Sequence, residues 1–154
     1  MNVAEDFLIE AGTLLPLMEA FYSIQGEGFH TGKSAYFLRI GGCDVGCHWC
    51  DVKESWDANL HPLTKAEDIV KQIDETKINT VVITGGEPLM WNMNFLTKSL
   101  KKKGLQVHLE TSGTYPMNGS FDWICLSPKK NQKPLDEIKP LANELKIIVQ
   151  NKHD

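Results

Sequence analysis

The sequence lacks the features that would assign it to a membrane, secreted or broadly nucleic-acid-binding class. No apolar run approaches the roughly 18 residues that a membrane-spanning helix needs. The 16 Lys and Arg are outnumbered by 20 Asp and Glu, and the net charge of −4 argues against a broad basic surface for nucleic acid. The opening segment, MNVAEDFLIE, is acidic and has no basic start, which is not the pattern of a secretory signal. We therefore expect a cytoplasmic protein.

Cysteine is scarce, with four residues in a chain of 154 whose length fits a single domain. In the reducing cytoplasm such cysteines are more often metal-binding or catalytic than disulfide-bonded. Three of them, Cys43, Cys47 and Cys50, have the spacing C-x3-C-x2-C in the segment GGCDVGCHWC. The fourth, Cys125, falls in a predicted strand, and we interpret it as a small buried hydrophobic residue.

Strands alternate with helices along the chain, without internal repeats or low-complexity tracts. Strands are predicted at residues 34–40, 79–84, 105–110, 121–126 and 144–149. Helices are predicted at residues 92–103 and 135–142, and a further one opens at Thr64. Glu67 gives Thr64 a capping-box pattern, and Ile69, Val70 and Ile73 supply that helix with an apolar stripe.

This alternation predicts an α/β fold with a mostly parallel sheet, as in a partial (β/α) barrel. Active sites of such folds lie beyond the carboxyl ends of the strands. Unusual residues follow four of the predicted strands, at Cys43 and at residues 85–88, 111–113 and 127–129. We expect one site there, in a single domain over residues 1–154. Because little chain follows the last strand, we also expect C-terminal elements to be missing or a partner to cover that edge.

Three thiolates close in sequence can meet at one metal centre. Iron–sulfur clusters are usually held by four Cys thiolates, so three would leave one iron of a [4Fe–4S] cluster open for another ligand. Structural zinc is the alternative, with His48 or His61 completing the set. No second Cys or His pair with zinc-site spacing is present in the sequence.

With Trp49 directly before the last cysteine, the motif resembles that of the radical S-adenosylmethionine (SAM) enzymes. Residues 84–88 (TGGEP) resemble the GGEP motif of that superfamily. The resemblance implies that the open iron binds the amino and carboxyl groups of SAM. One-electron reduction then cleaves SAM to a 5′-deoxyadenosyl radical, which abstracts a hydrogen atom from the substrate.

Several segments together resemble the 7-carboxy-7-deazaguanine synthase (QueE) family. They are residues 21–28 (FYSIQGEG), 35–43 (AYFLRIGGC), 47–56 (CHWCDVKESW), 84–88, 110–113 (ETSG) and 127–129 (SPK). The resemblance implies a carbon–nitrogen lyase of queuosine (7-deazapurine) biosynthesis. Its substrate would be 6-carboxy-5,6,7,8-tetrahydropterin, which ring contraction with loss of ammonia would convert to 7-carboxy-7-deazaguanine.

The same resemblance implies which residues form the site, with no catalytic residue beyond the cofactor. The cluster ligands are Cys43, Cys47 and Cys50. The residues expected to bind SAM are Trp49, Cys50, Asp51, Gly86, Glu87, Ser112, Ser127, Pro128 and Lys129. The residues expected to bind the substrate are Ile24, Gln25, Gly26, Glu27, Arg39 and Thr84.

The chemistry of several of these side chains suits the expected ligands. Arg39 offers a bidentate fork for the pterin carboxylate, and Gln25 and Glu27 offer acceptors for the donor edge of the pterin. Lys129 could pair with the SAM carboxylate. The alternatives are that Arg39 forms a surface salt bridge and that residues 24–28 are a simple glycine-rich turn.

One position departs from the family pattern. Many family members carry Thr where this chain has Val52, and the Thr hydroxyl helps to bind Mg²⁺ beside the substrate. The dependence on Mg²⁺ is therefore open, with Asp51, Ser55, a backbone carbonyl or water as remaining ligands. The resemblance further implies a reducing electron donor such as flavodoxin and a homodimer, with no direct nucleic-acid or membrane partner.

Two other functions remain as alternatives. A glycyl-radical activating enzyme has a similar size and cysteine motif, but it acts on a protein backbone and would not need Arg39 as a pterin clamp. A non-catalytic zinc-binding module would contain no iron. Activity on the carboxypterin tests the first alternative, and iron content tests the second.

Overall fold

A computed structural model of the chain describes residues 3–149 and builds them around one mixed sheet. The strands are β1 (Leu14–Ile24), β2 (Ser34–Ile40), β3 (Leu63–Lys65), β4 (Thr80–Gly85), β5 (Gln106–Thr111), β6 (Trp123–Leu126) and β7 (Glu144–Leu145). The helices are α1 (Val3–Glu10), α2 (Ala66–Asp74) and α3 (Asn94–Lys102). The strand order is β3-β1-β2-β4-β5-β6-β7. Only the pairings of β1 with β2 and β3 are antiparallel, so the mostly parallel α/β sheet is confirmed.

Helices α2 and α3 pack on one face of the sheet, and this layer is the main hydrophobic core. Alternation along β2, typical of the strand predicted at residues 34–40, places Tyr36, Leu38 and Ile40 on that face, where all three are buried. The two helices contribute the buried residues Ile69, Val70, Ile73, Leu96 and Leu100. Burial of one such side chain contributes about 1.5–3 kcal/mol, so this layer fixes the helices against the sheet.

The beginning of α2 differs from the capping-box prediction, which is wrong. Thr64 lies in β3, and its hydroxyl donates to the carbonyl oxygen of Pro62 (3.2 Å) rather than capping a helix. The helix begins at Ala66 without a side-chain cap. By contrast, the basic last turn of α3 is followed by Gly104 with a φ of 77°, as predicted for the glycine after a helix.

The carboxyl-terminal elements are shorter than predicted. Residues 135–142 form no α-helix, and only the 3₁₀ turn Lys139–Leu141 is regular. Pro140 within that turn has no N–H to donate, which prevents extension into an α-helix. The strand predicted at residues 144–149 consists of β7 alone.

The first strand is the longest one, and the sequence pattern did not predict it. β1 contains Pro16, and a bulge between Leu17 and Glu19 interrupts the alternation on which a strand prediction depends. The antiparallel pair β1–β2 is nevertheless regular from Glu19 to Ile24. It carries the connecting residues 25–33, which we call the glycine loop, to the polar face of the sheet.

The face of the sheet opposite α2 and α3 carries polar side chains, and we call it the inner face. Neighbouring residues of paired strands point to the same side of a sheet. Arg39 on β2 pairs with Thr84 on β4, and Glu110 on β5 pairs with Cys125 on β6. No described helix, within residues 3–149, is long and apolar enough to cross a membrane.

Candidate active site

The cysteine loop, residues 43–50, follows the carboxyl end of β2. Backbone hydrogen bonds join the start of this segment to Ser55 and Trp56, which follow its end. The Gly42 N–H donates to the Ser55 carbonyl (2.6 Å), and the Cys43 N–H donates to the Trp56 carbonyl (3.1 Å). All three cysteines of the loop are free thiols. The loop therefore presents them at one rim of the sheet.

The three thiols lie close enough to influence one another. Burial raises the pKa of Cys43 and of Cys47. The neighbouring Cys47 raises the pKa of Cys43 further, and Cys50 does the same for Cys47. The ammonium group of Lys129 counteracts the rise at Cys47. Since metal ligation requires thiolates, positive charge at this rim favours the ligating form.

This donor set fits an iron–sulfur cluster better than one zinc ion. A structural zinc ion needs four ligands, and the cysteine loop supplies three. His61 is engaged elsewhere, with its Nε2 2.8 Å from the Glu54 carbonyl. In a cluster each thiolate binds a different iron, so thiols distributed along one loop are suitable ligands.

The GGEP segment packs directly against the cysteine loop. The Gly86 N–H donates to the Ile40 carbonyl (2.9 Å), and the Glu87 N–H donates to the Gly42 carbonyl (2.8 Å). A Cβ on Gly86 would lie 2.2 Å from the Gly42 oxygen and 3.0 Å from Cys43 Cβ. Glycine at this position therefore allows the two backbone segments to approach each other.

Glu87 supports this rim from within. Its side chain is fully buried, and its Oε1 accepts from the Leu89 N–H (3.1 Å) and the Thr111 hydroxyl (2.6 Å). Its Oε2 accepts from the N–H (2.8 Å) and the hydroxyl of Ser112. A carboxylate has about four acceptor sites, so donors of the protein itself already use those of Glu87. The carboxylate thus ties the loop after β4 to the loop after β5.

The loop after β6 reaches the cysteine loop through Lys129. Lys129 Nζ donates to Ser127 Oγ (2.6 Å) and lies 5.2 Å from the centre of the Trp49 ring. Burial lowers the pKa of Lys129. Pro128 is half-buried, and Asp51 is exposed. The structure therefore brings Trp49, Lys129 and the cysteines together at one rim.

Oxygen ligands for a magnesium ion are few beside Val52. Ser55 is 1% exposed, and its hydroxyl donates to the Val52 carbonyl (2.7 Å), which removes it from the candidate ligands. Asp51 is the carboxylate next to this segment. This set does not fit a hard cation that prefers several oxygen ligands, and we derive no step through Mg²⁺.

On the inner face, Glu110 joins two of the predicted substrate residues. Its Oε2 accepts from the Thr84 hydroxyl (2.9 Å), and its Oε1 accepts from Gln25 Nε2 (3.2 Å). Glu110 was not among the residues predicted to form the site. The signal was present, because alternation along β5 places Glu110 on the same face as His108.

Arg39 lies next to Thr84 with its guanidinium incompletely paired. Its Nε is 3.2 Å from Glu19 Oε2, yet this buried nitrogen makes no hydrogen bond. The guanidinium also lies 5.8 Å from the centre of the Phe21 ring. Both interpretations of Arg39 therefore find support: an ion pair exists, and donor capacity remains for an anionic ligand.

The glycine loop is fastened to the far end of the sheet. Lys146 Nζ lies 2.6 Å from Glu27 Oε2, and the Phe29 N–H donates to Glu144 Oε2 (3.4 Å). A Cβ on Gly28 would lie 1.7 Å from Glu144 Oε1, so a side chain at that position would displace the carboxylate. Lys146 was not predicted either, because its place here depends on a contact between distant segments.

Two predicted substrate residues differ in their placement. The Gly26 position is open, with no atom near the place of a Cβ. Ile24 pairs with Ser34, on the side of the sheet opposite that of Ser23, and is 61% exposed. Its side chain therefore does not face the site, unlike Gln25, Arg39 and Thr84.

Beneath the glycine loop, two imidazole rings lie against each other, tilted by 38°, and line a small cavity. The ring centres of His30 and His108 are 4.5 Å apart, and both His30 ring nitrogens are buried without a hydrogen-bond partner. Burial, with the help of His30, lowers the pKa of His108 to about 4. Cys125 lines the same cavity, and burial raises its pKa to about 11. The cavity measures about 20 Å³, enough for a water molecule.

Comparison with known proteins gives consistent matches. The model of the Radical SAM superfamily matches residues 38–149. The chain is 62% identical over 146 residues to the 7-carboxy-7-deazaguanine synthase of Flavobacterium psychrophilum, covering 95% of this chain and 69% of that protein. The synthase of Synechocystis sp. is 52% identical over 139 residues, covering 90% and 67%. The crystal structure of QueE from Escherichia coli superposes with a TM-score of 0.83 at 31% identity, covering 99% of this chain and 78% of that one.

Proposed function

Because this chain belongs to the radical SAM superfamily and, within it, to the 7-carboxy-7-deazaguanine synthase family, we propose that it forms 7-carboxy-7-deazaguanine from 6-carboxy-5,6,7,8-tetrahydropterin in queuosine biosynthesis. The observation that carries this proposal is the row of polar side chains on the inner face. Arg39, Thr84, Glu110 and Gln25 follow one another across β2, β4, β5 and the glycine loop. They lie beside the carboxyl end of β2, which leads into the three cysteines.

Cys43, Cys47 and Cys50 would hold a [4Fe–4S] cluster. When bound, the cluster would supply one-electron reduction of SAM, the source of a carbon radical able to abstract hydrogen from the pterin. The electron itself comes from a reducing partner, for which a flavodoxin is the proposed type. A homodimer in the cytoplasm completes the proposal.

The rim residues would hold SAM where three loops meet. The ammonium group of Lys129 suits the SAM carboxylate, and Trp49, Asp51 and Gly86 lie on the two segments that meet at the cysteines. Ser127 and Pro128 precede Lys129 in the same loop. Glu87 acts indirectly, since its carboxylate is used in fixing Ser112.

The inner face would bind the pterin by its charge and its donor pattern. Arg39 would pair with the carboxylate, because its guanidinium retains unused donors there. Glu110 would accept from ring N–H groups and orient Gln25 and Thr84, which can each offer a further contact. The glycine loop with Glu27 would cover the bound pterin and exclude water from the radical.

An anaerobic assay tests the proposal. The reconstituted protein is incubated with reductant, SAM and 6-carboxytetrahydropterin, and mass spectrometry detects 7-carboxy-7-deazaguanine as the expected product. Variants Cys43→Ala, Cys47→Ala and Cys50→Ala should lose iron and SAM cleavage, whereas Cys125→Ala should keep its iron.

Two outcomes of this assay contradict the proposal. Release of 5′-deoxyadenosine without the deazaguanine product would indicate a different radical SAM reaction, such as glycyl-radical activation. A wild-type protein that takes up zinc and no iron would indicate the zinc-binding alternative.

A further inference from the structure

The middle of the cysteine loop lacks backbone support of its own. Residues 43–50 make two backbone–backbone hydrogen bonds, from the Cys43 N–H to the Trp56 carbonyl (3.1 Å) and from the Cys50 N–H to the Cys47 carbonyl (3.0 Å). Residues 44–46 make none, and Gly46 has a φ of 64°. A segment of this kind has many accessible conformations, so other contacts must fix the positions of the thiols.

Two side chains from other loops supply such contacts. Tyr115, between β5 and β6, donates from Oη to Asp44 Oδ2 at 2.6 Å. Asn131, between β6 and β7, donates from Nδ2 to the Gly46 carbonyl at 3.0 Å. Both acceptors lie between the first two cysteines of the loop, and neither donor touches a cysteine through these bonds.

We propose that Tyr115 and Asn131 are positioning residues that hold the cysteine loop in the conformation that binds the cluster, an inference that rests on the proposed function. Three thiolates must reach three irons together, and a loop ordered in advance loses less conformational entropy on binding. Tyr115 acts through a hydrogen bond to a carboxylate, which is stronger than one between neutral groups. Asn131 acts on the backbone of the glycine that gives the loop its turn.

The same two contacts join the cysteine loop to the other rim loops. Tyr115 lies three positions after Ser112, and Asn131 lies two positions after Lys129. Loosening either contact would therefore separate the cysteines from the loops proposed to bind SAM. We expect weaker retention of the cluster first, and weaker SAM binding as a secondary effect.

The test uses variants that remove a donor and keep the shape of the side chain. Tyr115→Phe removes the hydroxyl, and Asn131→Asp removes the amide donor. Tyr22→Phe and Asn79→Asp, both at exposed positions, are the matched controls. After anaerobic reconstitution, the loss of visible cluster absorbance to an iron chelator should be roughly three- to tenfold faster in each test variant than in wild type. The controls should match wild type, and all apoproteins should melt at the same temperature.

A second pair of variants separates positioning from a general effect on the loop. In an Asp44→Ala background, Tyr115→Phe should add no further acceleration, because its partner is already gone. Additive effects in this cycle would overturn the assigned contact. Wild-type rates of cluster loss in both single variants would overturn the proposal itself.

Amide hydrogen exchange of the apoproteins distinguishes this inference from the proposed function. Residues 44–49 should exchange faster in Tyr115→Phe and Asn131→Asp than in the controls, whether or not iron is present. Faster exchange in a protein that binds no cluster would refute the proposed function and leave the loop contacts standing. Unchanged exchange would refute the positioning role even if the wild-type protein is an active synthase.

Discussion

The two faces of the central sheet are built from the same strands and follow opposite rules. On the face against α2 and α3, Ile83 and Leu109 are fully buried among apolar neighbours. One residue further along each strand, Thr84 and Glu110 point to the inner face and hydrogen-bond to each other. A step of one residue along a strand thus separates the core from the site.

The difference shows what each face can tolerate. Apolar contacts are non-directional, so the helix-covered face leaves no polar group without a partner among its core residues. The inner face uses directional contacts, and it retains unsatisfied groups at Arg39 Nε and at His30. Unsatisfied buried polar groups destabilise a fold, so the groups on this face need a partner such as a water molecule or a ligand.

The largest effect on stability should come from the helix-covered face. Leu100→Ala removes a fully buried side chain of the core, and we expect a loss of about 2–5 kcal/mol in the free energy of unfolding, measured by urea titration. Leu60→Ala, at a position 69% exposed, is the control and should change little. A Leu100→Ala protein of normal stability would show that this face is not the main core.

The stability of the inner face should depend on pH. The pKa of His108 falls from 6.5 to about 4 on folding. Between these two pH values the unfolded chain binds a proton at this imidazole, whereas the folded protein does not. Above pH 6.5 this imidazole is neutral in both states, so it does not reduce the free energy of unfolding. As the pH falls from 6.5 towards 4, the free energy of unfolding decreases, and at pH 4 the loss amounts to about 3 kcal/mol. His30, Lys33, Asp122 and Glu144 act on the same imidazole. Urea titrations between pH 4 and 7 should therefore show a steep slope.

Two histidine variants isolate this dependence. His108→Gln should flatten the pH profile of stability, while His48→Gln, at an exposed position, should leave the profile as in wild type. A profile that is unchanged in His108→Gln would assign the slope to other groups. The helix-covered face, with no histidine in its core, should contribute nothing to the slope.

The smallest effect on stability and the clearest effect on function should come from Arg39. Arg39→Ala should raise the KM for the carboxypterin roughly 10- to 150-fold, as expected for loss of a charged hydrogen bond. SAM cleavage without substrate should stay near wild type, and so should the urea midpoint, because Arg39 is partly exposed. Glu19→Gln, which removes the ion-pair partner, should not raise KM. Equal losses of substrate binding and SAM cleavage in Arg39→Ala would show that this residue supports the fold.

Local sequence patterns predicted two central strands of the sheet and two of the loops that meet at its rim. Alternation identified the two faces of β2, and the β-branched run of residues 79–84 identified β4. Since β2 and β4 are parallel neighbours, Arg39 on one strand and Thr84 on the other lie side by side. The cysteine spacing and the GGEP segment marked two of the loops that meet at the rim.

Long-range pairings could not be read from the sequence. Gln25 and Glu110 are 85 positions apart, and only the closed sheet shows that they are hydrogen-bonded. Likewise, only the folded structure shows that the Glu87 carboxylate accepts hydrogen bonds from Thr111 and Ser112, at the end of β5. β1 was not predicted, because Pro16 and a bulge interrupt the alternation of its side chains, although this strand positions the glycine loop.

The attachment of the glycine loop to Glu144 has a consequence for the order of folding. The contact between Phe29 and Glu144 joins residues that are 115 positions apart, and it can form only after the strands between them have brought the two segments together. Strands β1 to β6 can pair before it forms, and it can open while they remain paired. We therefore expect the pocket to be the last part of the molecule to form and the first to be lost on mild denaturation. Affinity for the carboxypterin should disappear at a lower urea concentration than the circular dichroism of the sheet.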